Sequence, residues 1–265
     1  MANLWAIGDV HNQLPALTQL LDRIPADEEL IFVGDLIHKG PAENCAPVVA
    51  LVQDLCASGR AQVVRGNHDA TPGKGRYVAH EGDLSADQAE WLKSLPLMIR
   101  RLGVLFLHGG IDASVAEQLD YLIEQRLLPR EGEWSGAMVN SAAATLSRKN
   151  RDRLGRCMRV RFLGLNGKMV SLGHEAPSDP FWARVYQGQY GHVAFGHNPW
   201  QGGPVSFDHA TGLDAGAGWS EIPASCPTRA GGRLGKAVGR GLVAVPFRDA
   251  QPIWDEALFE ETTNE

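Results

Sequence analysis

Residues 4–11 read LWAIGDVH: four apolar residues of strand length, a glycine, then a carboxylate and an imidazole two residues apart. The same grammar returns four times. Leu30 to Val33 runs into Gly34-Asp35, Ala61 to Val64 into Gly66-Asn67-His68-Asp69, Val104 to Leu107 into His108-Gly109-Gly110, and His192 to Phe195 into Gly196-His197. Short apolar runs rich in Val and Ile read as buried strands. Their glycines let the backbone turn sharply and let a substrate approach. Between the first three runs lie helical spacings: Leu14, Leu17, Leu20 and Leu21, then Val48, Val49, Leu51, Val52 and Leu55. The alternation points to βαβ units in a sheet covered by helices. Ligands of such folds gather outside the carboxyl ends of strands, so one sheet would bring all five clusters to a single crevice.

Taken singly, a Gly-Asp after a strand is a turn signal and a lone histidine is commonly structural. Turn chemistry does not, however, ask for His or Asn at five strand ends in register. Carboxylate, imidazole and amide oxygen are the donors that hard-to-borderline divalent cations take. Asp9, His11, Asp35, Asn67, His108 and His197 are therefore candidate ligands, with Asp35 placed to bridge two ions. A pair of ions about 3.5–4 Å apart can hold a hydroxide between them and neutralise phosphoryl oxygens during in-line attack. The implied chemistry is hydrolysis of a phosphate ester or anhydride.

Composition sets the frame. A chain of 265 residues, 44% apolar and 21% charged, is an ordinary globular protein with a sizeable core, read here as one domain over 1–265. A formal charge of -6 argues against a broad surface for duplex nucleic acid or anionic membrane, so any anion site is local. Cys45, Cys56, Cys157 and Cys226 form no CxxC pair, which suits a reducing compartment. No stretch approaches the roughly 20 apolar residues of a membrane span. The N-terminus shows no secretory pattern, so the expected location is cytoplasmic.

A third helix is expected from Ser85, with Gln88 completing a capping box, and it ends before Pro96. His209-Ala210-Thr211-Gly212 reads as the turn joining Pro204–Asp208 to Leu213, and Leu242 to Phe247 as a last strand. Residues 112–160 carry helical segments with charged faces, read as a cap insertion. Residues 223–241, with Arg229, Arg233, Lys236 and Arg240, read as an irregular loop, either plain surface or a contact for a long anion.

GDVHN, GDLIHKG, RGNHD, LHGG and FGHN resemble, in order and spacing, the calcineurin-like metallophosphoesterases of the phosphoprotein-phosphatase branch. GDLIHKGP, the Arg-rich run before Phe162, Asn166-Gly167-Lys168 and LDAGAGW are similar to bacterial symmetrical diadenosine tetraphosphatases. The resemblance implies a four-layer αββα sandwich of two mixed sheets flanked by helices. It implies one ion on Asp9, His11 and Asp35, and a second on Asp35, Asn67, His108 and His197. It makes Asp35 and His68 catalytic, His68 as general acid, and gives the phosphate to Arg65 and Lys39 with Arg161 or Arg159 as a further clamp. Mn²⁺ is the expected activating ion; Fe, Zn, Ni, Co or Mg also suit oxygen and nitrogen donors. The substrate implied is a dinucleoside polyphosphate or a related nucleotide pyrophosphate or phosphomonoester. The alternative is a serine/threonine or dual-specificity protein phosphatase acting on a phosphoprotein, and a more remote one is a non-catalytic metal-binding module.

Two departures from the pattern matter. Protein phosphatases read GD-x-x-D-R-G where this chain has His38 and Lys39, and lysine keeps the charge without the planar fork of arginine. Pro199 stands where wider phosphodiesterases place a second metal-binding histidine. From Arg148 to Arg161 seven Lys or Arg meet one acid, Asp152, either a polyphosphate lining or a solvated helix face. Arg159 and Arg161 alternate about Val160 as on one strand face. Trp182, Tyr186, Trp200 and Trp219 read first as packing, with Trp200 the candidate base-stacking ring. His174 mimics a ligand motif without a strand before it, and His80, His192 and His209 read as structural or surface residues.

Overall fold

The computed structural model describes residues 4–200, 202–219, 233–234 and 240–262. All five apolar runs are strands. β1 (Leu4–Ile7), β2 (Glu29–Phe32) and β3 (Ala61–Val63) pair in parallel in that order. Their crossovers are α1 (Leu14–Arg23) and α2 (Cys45–Ala57). Pro15 sits in the first turn of α1, where a missing N–H costs nothing. Helix α3 (Ala86–Ser94) begins at the expected capping box: Ser85 Oγ accepts from the Gln88 N–H at 3.1 Å, and the Gln88 side chain accepts from the Ser85 N–H at 3.0 Å.

The chain then builds a second sheet rather than extending the first. β4 (Met98–Arg101) and β5 (Val104–Leu107) form an antiparallel pair. Helices α4 (Ala113–Glu124), α5 (Gly136–Thr145), α6 (Arg148–Leu154) and α7 (Trp182–Val185) follow. β6 (His192–Phe195), β7 (Val205–Phe207), β8 (Ala210–Gly212) and β9 (Arg233–Leu234) complete the order β4-β5-β6-β8-β7-β9, in which β5, β6 and β8 run parallel. Finally β10 (Gly241–Arg248) returns antiparallel to β1, with β11 (Gln251–Pro252) and β12 (Leu258–Glu261) paired to it.

Two-residue side-chain alternation decides the layering. Leu4, Ala6 and Ile31 of the first sheet meet Val104, Phe106 and Ala194 of the second in a core between the sheets. Trp5, Ile7, Leu30 and Phe32 point the other way, onto Leu17, Leu20, Val48 and Val49 of α1 and α2. Leu105, Leu107, Val193 and Phe195 likewise meet Val115, Leu119 and Val139 of the helices beyond the second sheet. Burial of each large apolar side chain in these layers contributes about 1.5–3 kcal/mol. The result is two mixed sheets flanked by helices.

Three expectations need correction, and one strand was not foreseen. The strand-end clusters lie on two sheets, not one, because wholly apolar strands say nothing about which sheet they join. The hairpin turns at Asp208-His209, and Ala210–Gly212 is itself strand β8 paired with Val205–Phe207. Arg159 and Arg161 are not on a strand: Arg159 closes a short 3-10 turn, and regular pairing nearby is limited to isolated bridges at Phe162 and Leu163. Strand β4, reading MIRR, carries no apolar run that would announce it. Apart from 233–234 and 240–241, the loop expected over 223–241 lies outside the described residues, as does Cys226. Among the described residues no helix is long and apolar enough to cross a membrane.

Candidate metal centre and substrate cavity

The parallel strands β1, β2 and β3 of one sheet and β5 and β6 of the other bring their carboxyl ends together where the sheets meet. Among the described residues, ten non-glycine residues have positive φ, and six are in the motifs: His11 (48°), Asn12 (61°), Asp35 (52°), His38 (75°), Lys39 (64°) and His197 (68°). Each such residue costs on the order of 1 kcal/mol or more and persists only where its surroundings enforce it. Here Asp69 does much of the enforcing. Its carboxylate accepts the N–H groups of Asp35 at 2.8 Å, Leu36 at 2.9 Å and Gly66 at 2.9 Å, locking the second motif to the third. The Asp35 carbonyl accepts from both Val10 and His11, tying in the first.

Space, more than turn geometry, requires glycine here. A Cβ on Gly66 would lie 2.1 Å from Asp35 Oδ1, and one on Gly196 2.0 Å from Asp9 Oδ1. Neither glycine has positive φ; Gly34, at 96°, does.

The fold groups the ligand candidates into two sets that share Asp35. Asp9, His11 and Asp35 form one and Asp35, His108 and His197 the other, each with its donor atoms within 4.8 Å of one another. Asn67 Oδ1 joins the second at 3.3 Å from His108 Nε2. His11 Nδ1 lies 3.0 Å from the Ile37 carbonyl and His108 Nδ1 2.8 Å from that of Val33. A carbonyl only accepts, so Nδ1 carries the hydrogen in both rings and Nε2 is turned to the centre, the arrangement that orients metal-binding imidazoles. His11 Nε2 lies 3.7 Å from Asp9 Oδ2 and 3.8 Å from Asp35 Oδ2. The His197 N–H donates to the Asp9 carboxylate at 3.0 Å, and its Nε2 accepts from Arg161 Nε at 3.0 Å. Carboxylate and imidazole donors, buried and turned inward, fit a pair of divalent cations.

Electrostatics agree with that fit. Burial, reinforced by Asp214, pushes Asp9 well above the usual carboxylate range. Burial also works against ionised Asp35, but His108, His68 and His11 together hold it well below its ordinary value. For His108 the balance tips the other way: against burial, Asp35 and Asp9 raise it to about 9. The centre thus draws positive charge inward, and bound cations would take over that role and release the proton. Burial pushes His68 down to about 3, with Asp35 opposing and Lys39 reinforcing.

The centre opens into a cavity of about 830 Å³ with Asp35, Asn67, His68 and His197 along its wall. Lys39, Arg159 and Arg161 line it, and so do the cations of Lys74 and Arg76. Lys39 Nζ lies 2.8 Å from His11 Nε2 and 4.2 Å from the ring centre of Trp219. Arg65 does not line the cavity; its guanidinium donates to the Lys93 carbonyl in α3, which turns it away from the centre. The basic run splits at the 3-10 turn, since Arg148, Lys149, Arg153 and Arg156 line a separate surface hollow with Lys168. Trp200 packs edge-on against Phe181 in the core, while Trp219, Tyr77 and Phe162 present aromatic surface to the cavity. His174 is exposed, and His192 bonds Thr211 Oγ1 at 2.9 Å, in keeping with structural and surface readings.

Several contributors were not singled out by motif. Asp214, 1% exposed, lies inside LDAGAGW two residues past β8, in the same apolar-then-acid grammar, yet is given no role there. Asp69 lies inside RGNHD but carries no sign of its scaffolding role. Lys74, Arg76 and Tyr77 come from a segment without periodicity, and only the fold places them at the cavity.

Residues 2–201 match the family model described as calcineurin-like phosphoesterase. The chain belongs to that family. As a calcineurin-like phosphoesterase it is a hydrolase of phosphoester or anhydride bonds, in a family that uses divalent metal ions. It is 28% identical over 296 residues to the symmetrical bis(5'-nucleosyl)-tetraphosphatase of Ralstonia nicotianae, covering 93% of this chain and 94% of that protein. A crystal structure of a candidate diadenosine tetraphosphatase superposes with a TM-score of 0.56 at 20% identity, covering 97% of this chain and 93% of that one. The cold-active protein-tyrosine phosphatase of a Shewanella species does so with a TM-score of 0.52 at 16% identity, over 96% and 80%. At these identities the two structures speak for the calcineurin-like fold alone.

Proposed function

We propose that the chain is a two-metal hydrolase of dinucleoside polyphosphates or closely related nucleotide pyrophosphates, with Mn²⁺ as the activating ion. The observation that carries this reading is the pair of donor sets sharing Asp35 beside a cavity lined by Lys39, Lys74, Arg76, Arg159 and Arg161. Five cations suit several phosphate groups rather than one, and about 830 Å³ exceeds the need of a bare phosphate. The aromatic surface of Tyr77, Phe162 and Trp219 suits a base. The full-length likeness to a symmetrical tetraphosphatase supports the same choice.

Asp9, His11 and Asp35 would hold one ion and Asp35, Asn67, His108 and His197 the other. When bound, the ions supply Lewis-acid neutralisation of the phosphoryl oxygens and activate water for in-line attack. The protein's residues do the rest. Arg161, Arg159 and Lys39 orient the phosphate chain, and His68, with Nε2 3.9 Å from Asp35 Oδ2, stands beside the centre; once the anionic substrate offsets the burial that keeps its ring neutral, it carries a second proton at Nε2 and gives it to the leaving oxygen as the P–O bond breaks. In this reading 1–265 is one domain and 112–160 its helical cap. The separate thiols of Cys45, Cys56 and Cys157 fit the cytoplasm.

The test is Mn²⁺-dependent turnover of diadenosine tetraphosphate beside p-nitrophenyl phosphate and a phosphopeptide, with nucleotide products separated. Release of ADP as the sole nucleotide supports symmetrical cleavage. Preference for the phosphopeptide would move the assignment to a protein phosphatase, and inactivity on all three after metal reconstitution would overturn catalysis.

A further inference from the structure

The backbone N–H of His68 donates to Asp35 Oδ1 at 2.8 Å, but on its Nδ1 side the ring meets another imidazole rather than a carboxylate. Its Nδ1 lies 2.9 Å from Nδ1 of His38, and His38 Nε2 lies 2.8 Å from Oε1 of Glu81. All three side chains are buried, His38 to 1% exposure and the other two to 8%. The far end of this chain dictates the hydrogens. The Glu81 carboxylate accepts, so His38 Nε2 carries a hydrogen; neutral His38 then offers a lone pair at Nδ1, and His68 must donate its Nδ1–H to it. Nε2 of His68 is thereby the nitrogen left facing Asp35 and the cavity, and the proton it gives up is the second one of the imidazolium, whose Nδ1–H stays with His38. The carboxylate is itself fixed, since the Gly73 N–H donates to both its oxygens at 2.8 and 2.9 Å.

His38 is gripped from other sides as well. Its backbone is left-handed at φ 75°, and its N–H donates to Asn12 Oδ1 at 3.2 Å. Its ring stacks on Tyr77 with centroids 5.6 Å apart and planes 17° apart, and the same tyrosine leans on His68 at 4.7 Å. Such outlay on a residue that holds no candidate ion and no assigned phosphate contact calls for a role. The position also bears on charge. An acid at residue 38 would place a carboxylate in a cavity built for polyanions, whereas Glu81 stands one ring away and does not line it.

We propose that His38 and Glu81 are positioning residues for His68: Glu81 fixes the tautomer of His38, and His38 fixes the ring of His68 with Nε2 toward the leaving group. This rests on the reading of His68 as the acid. A group that orients a general acid matters most when the leaving group is poor, because a good leaving group departs without a proton.

The experiment compares kcat and KM on phenyl phosphate, with its poor leaving group, and on 2,4-dinitrophenyl phosphate, with its good one, for Mn²⁺-loaded parent, His68→Asn, His38→Ala, His38→Asp, Glu81→Gln and the His38→Ala/Glu81→Gln pair. Metal content and thermal melting are measured for each. His38→Ala is expected to lose roughly 10- to 100-fold more kcat on phenyl phosphate than on the dinitrophenyl ester, with KM and metal content retained, a fraction of the 10²–10⁴ typical of general acids. His38→Asp, which can accept the His68 Nδ1–H directly, recovers most of that loss. Glu81→Gln shows a smaller loss of the same kind that disappears in the His38→Ala background, as coupled members of one relay require. Equal losses on both esters, no loss, or failure of His38→Asp to recover in a folded, metal-loaded protein would overturn the relay while leaving the acid assignment intact. If His68→Asn itself shows no leaving-group dependence, the acid assignment fails and the relay falls with it.

Discussion

Replacing Gly196 by alanine tests whether the centre is packed as tightly as its geometry indicates. The backbone permits alanine, since φ at Gly196 is not in the left-handed range, so the added methyl group is the whole perturbation. That Cβ would lie 2.0 Å from Asp9 Oδ1, 3.2 Å from Asp9 Cγ and 3.0 Å from Val33 Cγ2. Relief requires the carboxylate to move by roughly 1 Å, toward ordinary van der Waals separation. Asp9 cannot make that move and keep the His197 N–H, now 3.0 and 3.1 Å from its two oxygens. Overpacking costs about 1–3 kcal/mol and leaving the buried His197 N–H without its acceptor about 1–3 kcal/mol, so the sum is on the order of 2–5 kcal/mol. At about 2–4 °C per kcal/mol for a chain of this size, the melting temperature should fall by on the order of 10 °C. A carboxylate misplaced by about 1 Å should also cost roughly 10²-fold in kcat/KM. Calorimetry of metal-free protein, metal stoichiometry after reconstitution, and p-nitrophenyl phosphate turnover read the three effects. A variant that melts within about 2 °C of the parent and binds metal like it would refute the packing argument.

Gly155 provides the converse: it lies at φ -61° with Met158 Cε at 3.8 Å as the nearest contact, so Gly155→Ala should raise stability by about 0.4–1 kcal/mol in denaturant titration. Asp35→Asn removes a charge from both donor sets and should lower bound metal and cut turnover by at least about 10³-fold; wild-type activity would end the shared-ligand assignment. Metal-free protein should lose stability as pH rises. His108 is raised from 6.5 to about 9, so its stabilising contribution is complete below about 6.5 and is lost as pH climbs through about 9. The gap corresponds to on the order of 3 kcal/mol, and it should disappear when metal replaces the proton. A chelated protein whose melting temperature rises between pH 6.5 and 9 would show that His108 is not the buried cation.

The candidate ligand residues were legible because each stands at a fixed offset from a strand whose apolar run is readable alone. Asp9, Asp35 and His197 need only a β-period and a glycine to be found, and the capping box at Ser85 needs only four adjacent residues. Local chemistry determined these features. The number of sheets was not local: Leu4 and Trp5 are both apolar, and nothing in their order says that one faces a second sheet and the other a helix. Arg65 illustrates the same limit in the site. Its motif places it beside Asn67, yet the carbonyl of Lys93, contributed by α3, decides where its guanidinium goes. Glu81 is invisible as a partner of His38 because 43 residues separate them, and only the turn of the intervening chain brings the two within 2.8 Å. The sequence by itself determined which side chains end which strands, since that depends on neighbours along the chain. The tertiary structure alone decided which of them meet, because a hydrogen bond or shared ligand position depends on distance in space, and sequence separation does not constrain it.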